Sequence, residues 1–202
     1  MPRLAKFDEG RILDAAAKLV ASRGPNAATV AAIGSALGAP SGSIYHRFRS
    51  RDALLGRLWL TKATIFQNRW AAALQISDPI EAGLQAALSM PQVVREDLNG
   101  ARVMLLYRRE DFVSDEWPSE MKAEAEELGR QVKDGLSDMA RRLFGRDSAA
   151  ARRTTAFATI DIPYSAVRRY VSDSAAPPAH VDALISRAYH AVVDKEVRDA
   201  SV

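Results

Sequence analysis

Ser41, Gly42, Ser43, Tyr45, His46, Arg47, Arg49 and Arg51 lie close together in the chain. They supply short hydroxyls, a glycine, a phenol, an imidazole and three guanidinium groups. Small polar side chains can reach base edges in a major groove without raising a bulky wall against the duplex. Guanidinium groups neutralise phosphates, and a glycine lets the backbone come close. Each residue also has a plainer reading. Tyr45 adjoins apolar Ile44 and could be a core aromatic, His46 could be a surface imidazole, and Arg47 to Arg57 could be a solvated face. Other chemistry finds little support. His46, His180 and His190 are the only histidines, and none has an H-E-x-x-H spacing. There is no G-x-S-x-G elbow or phosphate-binding glycine loop, and no Cys for a disulfide, a thiolate metal site or a nucleophile. We therefore expect no enzyme, no metal and no cofactor.

The elements that would hold these residues are helical throughout, with no alternating strand pattern. Asp8 can cap a first helix, with Phe7 and Ile12 as a hydrophobic staple and Ile12, Ala16, Leu19 and Val20 as its buried stripe. Gly24-Pro25 ends it. Thr29 can cap a second short helix that turns Val30, Ile33 and Leu37 inward and stops at Gly38. Ser41 can cap a third, running to Arg47 or Phe48, with Ile44 and Phe48 inward. Ser50 can cap a fourth, with Asp52 in its first turn, that runs to about Leu74. Two short helices joined by a glycine-containing turn have the sequence form of a helix-turn-helix.

The segment ILDAAAKLVASRGPNAATVAAIGSALGAPSGSIYHRFRSRDALL resembles the N-terminal domain of TetR-family repressors. The matching pieces are Ile12-Leu13-Asp14-Ala15-Ala16, Gly24, Thr29-Val30, Ile33, Gly38, Ser43-Ile44-Tyr45-His46, Phe48, and Ser50 followed by Asp52-Ala53-Leu54-Leu55. The resemblance implies an all-α protein of about nine helices. A three-helix helix-turn-helix domain over residues 1–55 would precede a ligand-binding and dimerisation domain over 56–202. It implies that Thr29 and Tyr45 touch the phosphate backbone. Ser41, Gly42, Ser43 and His46 would face bases or nearby phosphates, and Arg49 and Arg51 would neutralise charge. Many members carry Lys where this chain has Ser41 and Arg51. The first departure weakens any transfer of operator sequence, and the second keeps the positive charge.

Five more helices are expected near 79–89, 92–110, 118–144, 147–171 and 179–199, separated by Pro91, Trp117-Pro118, Gly145 and Pro177-Pro178. The helix around 118–144 is one-sided, with Met121, Ala125, Leu128, Val132, Leu136, Met139 and Leu143 on its stripe. The next is apolar on two sides, through Phe157, Ile160, Tyr164, Val167 and Val171 on one and Ala158, Ile162 and Ala166 elsewhere. The last has a broad stripe of Val181, Leu184, Ile185, Ala188 and Val192. The resemblance implies that the last two helices pair with their copies in a homodimer. Phe66, Trp70, Met90, Met104, Tyr107, Phe112, Trp117 and Tyr164 could line an adaptable apolar cavity for a partly apolar small molecule, or could simply be core. Asp161 amid Ile160 and Ile162 must pair, reach water or meet a ligand. Pro163 should kink its helix and free the Thr159 carbonyl.

Charge distribution agrees with a polyanion partner for the first third. Residues 1–60 carry nine Lys or Arg against four acids, whereas the remainder carries 19 bases against 21 acids. Without an apolar membrane span or an export signal, the default compartment is the cytoplasm. The reading is thus a ligand-responsive regulator, a repressor by resemblance, binding double-stranded operator DNA as a dimer. The alternative is a helical protein-interaction module without specific DNA binding.

Overall fold

Asp8 accepts a hydrogen bond from the Arg11 amide at 2.8 Å and opens α1 (Glu9–Arg23). Gly24, at φ 84°, ends it in a conformation that side chains rarely adopt. Thr29 Oγ1 accepts from the Ala32 amide at 3.1 Å and caps α2 (Val30–Leu37), and Gly38 closes that helix in the left-handed region. After α3 (Ser41–Tyr45), Ser50 Oγ accepts from the Ala53 amide at 3.0 Å at the start of α4 (Arg51–Ala73). This computed structural model describes residues 8–112, 114 and 117–200, the last six by backbone alone. Phe7, the expected partner of Ile12, lies outside the described residues.

The rest of the chain forms α5 (Pro79–Glu96), α6 (Leu98–Leu106), α7 (Ser119–Phe144), α8 (Ala149–Ala156), a π-helical turn (Phe157–Asp161), α9 (Ile162–Ser172) and α10 (His180–Ala200). Counting the unbroken 149–172 stretch as one helix, the described residues form nine α-helices besides short 3₁₀ turns. Pro91 does not act as the expected stop. It lies buried inside α5, and the chain breaks at Asp97 instead. Extensive packing of α5 against α9 and α10 holds the helix through the lost amide donor. The disturbance expected from Pro163 takes the form of the π turn just before it.

Contacts divide the chain into two compact units. One comprises residues up to Lys62 together with Asn99–Ala125, and the other comprises Ala63–Leu98 and Glu126–Val202. The first closes on Ile12, Ala16, Val20, Ile33, Ile44, Phe48, Leu54, Leu58 and Phe112. The second closes on Trp70, Ala86, Met139, Leu143, Ala158, Val181, Ile185 and Tyr189. The buried stripe of α10 is Val181, Ile185, Tyr189 and Val193, so Leu184, expected inside, is 48 % exposed. Phe157 is likewise 49 % exposed.

Tyr189 is the largest fully buried side chain. Its hydroxyl donates to the Ile80 carbonyl at 3.0 Å. A Cβ on Gly83 would fall 2.2 Å from that hydroxyl, so this contact requires glycine. Burial, then the negative charges of Asp194, Asp78 and Glu81, hold the phenol well above its ordinary range. The folded protein thus keeps Tyr189 neutral where an unfolded chain would ionise it. Stability from this group is fully present below about pH 10 and declines as pH rises beyond it. Tyr189→Phe is expected to cost about 1 kcal/mol near pH 7 through the lost hydrogen bond. It should also flatten the alkaline decline, by up to about 1.4 kcal/mol per pH unit. Urea unfolding of both proteins at neutral and alkaline pH measures this, and parallel pH profiles would contradict it.

Candidate nucleic-acid interface and ligand cavity

The short α3 is oriented by its apolar residues. Ile44 is fully buried and Phe48 is 6 % exposed, both in the core with Ile12, Ile33 and Leu58. The other side of the turn must then face out. Tyr45 is 55 % exposed, and Ser41, Gly42, His46, Arg47 and Arg49 are also exposed, with Ser43 half-buried. The core reading of Tyr45 is therefore excluded. Gly34 permits the close approach of α2 to the turn, because a Cβ there would lie 2.8 Å from the Ala39 carbonyl oxygen. The Ala39 amide donates to the Gly34 carbonyl at 2.9 Å and fixes the same turn. By contrast, a Cβ on Gly42 would meet nothing within 4 Å. The protein's own packing does not require a glycine there.

Two expectations for this region need correction. Ser41 does not cap α3: it is the first helical residue, and Pro40 holds the cap position in extended backbone with no side-chain hydrogen bond. Nor does α3 reach Arg47 as a regular helix. It ends at Tyr45, and the chain continues in turns through amide bonds from His46 to Gly42 and from Phe48 to Ile44. The buried Phe48 needs only that one extra turn.

The arginines separate by role. Arg51 turns back into the protein, where its Nε donates to the Ala28 carbonyl at 3.2 Å and its Nη2 to the Pro25 carbonyl at 2.6 Å. It ties α4 to the connection between α1 and α2. Arg57 pairs with Glu124 at 2.7 Å. Arg47 and Arg49 instead lie on a surface groove that also includes Arg57, Glu9 and Glu120. Thr29 is half-spent on its cap and sits at the start of α2.

The expected ligand residues divide between the two units. Phe66, Trp70 and Met90 line a cavity of about 280 Å³ in the second unit, with Gln67, Ala86, Ser89, Val132, Thr159 and Ile160. Gln67, Ser89 and Thr159 were not foreseen. Gln67 lies three residues before Trp70 on α4 and hence on the same side of that helix, a signal the sequence offered. Met104 and Tyr107 belong to the first unit. There the Tyr107 hydroxyl donates to the Val20 carbonyl at 3.1 Å and the Arg102 Nε to the Ala21 carbonyl at 2.9 Å. These two residues cap the C-terminal carbonyls of α1. Of the outcomes open to Asp161, the structure shows exposure to water. Tyr164 is half-buried and does not line this cavity. Among the described residues no cluster of His, Asp and Glu could hold a metal ion, and no helix is long and apolar enough to cross a membrane.

An N-terminal helix-turn-helix with a polar, basic outer face, on an otherwise helical chain, defines a class of nucleic-acid-binding folds. Residues 12–58 match the model of the bacterial regulatory proteins of the tetR family. No curated protein matches the chain. Among solved structures, it resembles the transcriptional regulator FadR from Bacillus subtilis, crystallised with stearoyl-CoA. That match has a TM-score of 0.69 at 18 % identity over 92 % of this chain and 98 % of that one. The TetR-family regulator PfmR from Thermus thermophilus gives 0.68 at 18 % over 91 % and 97 %. The ketosteroid transcriptional regulator KstR2 of Mycobacterium tuberculosis gives 0.66 at 20 % over 96 % and 98 %. The whole chain therefore has the fold of tetR-type transcriptional regulators.

The division of the arginines has a measurable consequence. Arg51→Ala should lower the unfolding free energy by about 1–3 kcal/mol, because it removes two charge-assisted hydrogen bonds to backbone carbonyls. Arg49→Ala should leave it within about 0.5 kcal/mol. Urea unfolding compares the two, and equal effects would refute a structural role for Arg51.

Proposed function

We propose that this protein is a ligand-responsive transcriptional regulator, a repressor, that binds double-stranded operator DNA as a homodimer in the cytoplasm. The observation that carries the reading is the outward polar face of α3, where Tyr45 and His46 stand exposed beside buried Ile44 and Phe48. On this reading Ser41, Gly42, Ser43 and His46 approach base edges and nearby phosphates. Thr29, Tyr45 and Arg49 contact the backbone, and Arg51 positions α4 while contributing charge. Two copies would place their α3 helices in successive major grooves about 34–36 Å apart, on a roughly palindromic site. Exposed Phe157 and Leu184, in the last helical stretches, are apolar surface that a second copy would cover, which supports a two-fold dimer.

The cavity of the second unit is the effector site on this reading. α4 carries Arg51 near its start and Phe66 and Trp70 toward its end. An occupant that favours one placement of α4 would thereby change the affinity for DNA. A 100-fold response requires a coupling of about 2.7 kcal/mol.

Gel shifts with DNA flanking the protein's own gene test the interface. Tyr45→Ala and Arg49→Ala should each weaken binding, and Arg49→Ala should reduce the dependence of log affinity on log salt by about one. Gly42→Ala should also weaken binding while leaving thermal stability equal or slightly raised, as alanine is favoured over glycine in a helix by about 1 kcal/mol. Unchanged affinity in all three variants would refute the assigned surface.

A further inference from the structure

We infer that Glu9 and Glu120 hold down the affinity of this protein for duplex DNA, by opposing the phosphates that the neighbouring arginines attract. The inference rests on the DNA-binding reading of the first unit and deepens it. Both carboxylates line one surface groove with Arg47, Arg49 and Arg57. Glu9 stands in the first turn of α1 and Glu120 in the first turn of α7, and both are exposed. Arg57 pairs with Glu124 at 2.7 Å, so that guanidinium and that carboxylate cancel. Glu9, Glu120 and Arg49 form no ion pair among the described residues. Two positive charges, on Arg47 and Arg49, thus share the groove with two negative ones. A phosphate that approaches meets an attraction largely offset by repulsion.

The effect needs no contact, because charge acts at a distance. A groove of about 470 Å³ is on the order of 8 Å across, and unit charges that far apart in water shift an equilibrium about two-fold per pair. Salt sets the reach, about 10 Å at 0.1 M and about 3 Å at 1 M. At low salt a phosphate drawn to Arg49 therefore feels the carboxylates of the same groove. Backbone phosphates carry no sequence, so the repulsion lowers affinity for every duplex alike. The first-turn positions offer a plainer role as well, since an acid there favours its helix. That role concerns folding alone, and it gives no gain in DNA affinity when the charge is removed. Asp134 supplies the comparison. It is exposed on α7 in the second unit, outside the groove. The helix rise puts it about 21 Å from Glu120.

The test is fluorescence anisotropy of the full chain with two labelled duplexes, one from beside its own gene and one of random sequence, at about 0.05 M and about 0.2 M salt. Glu9→Gln and Glu120→Gln should each tighten binding to both duplexes about three-fold at the lower salt, and the double variant about ten-fold, with the gap narrowing at the higher salt. Asp134→Asn should bind as the unchanged protein does. In thermal melting the Gln variants should be as stable as that protein or slightly less so, which keeps tighter binding from being a by-product of a firmer fold. A double variant that binds neither duplex more tightly than the Asp134→Asn protein would overturn the inference. So would an Asp134→Asn protein that gains as much as Glu120→Gln, because net charge alone would then account for the effect. Arg49→Ala separates this inference from the reading it rests on. If that variant loses affinity and the double variant gains none, the interface stands and the role of the carboxylates falls. If the double variant gains and Arg49→Ala loses nothing, the carboxylates face DNA and the contact assigned to Arg49 falls.

Discussion

Burial of Ile44 and Phe48 is the constraint from which the proposed interface follows. These residues are four apart, one turn of chain, and both enter the core of the first unit. A helix step of about 100° per residue then leaves Tyr45 and His46 no inward direction. The polar face of α3 is therefore exposed because the apolar face is satisfied. Gly34 sets how closely α2 approaches the turn, and Arg51 holds α4 to the connection behind it. Both residues act on the proposed interface from behind it, through the packing and hydrogen bonds that position its elements.

The second unit applies a different rule. Its core is closed by matched pairs such as Tyr189 on Gly83 and Trp70 on Gly135, where a large ring fills the space left by a missing side chain. Such pairs leave little freedom to the ring. Trp70 is fixed as one wall of the cavity, and the carbonyl of Leu128 fixes the amide of Gln67 beside it. The cavity is thus an apolar space with a wall set by a large ring seated on a glycine.

Local rules carried the sequence reading a long way. The caps at Asp8, Thr29 and Ser50 depend on neighbours three residues off, and each is found where its residue type places it. The face of α3 was legible because two apolar residues at helical spacing determine it. The reading failed where distant packing overrides a local preference. Pro91 continues α5 because α9 and α10 hold that helix in place. Tyr107 looked like a cavity residue by type, yet its hydroxyl serves the end of α1, 87 residues earlier. The sequence left the surroundings of Asp161 open between pairing, water and a ligand, and at the end of the π turn it lies in water. Gln67, which also lines the cavity, is invisible to a search for aromatic and methionine residues.

Site-specific photo-cross-linking tests the central claim most directly. A benzophenone amino acid would replace Tyr45 in one protein and Ile65, also exposed on the surface, in another. Both would be irradiated with a duplex from beside the gene. The account predicts cross-links to DNA from position 45, lost on adding salt, and none from position 65. Cross-linking from position 65 with none from position 45 would contradict it.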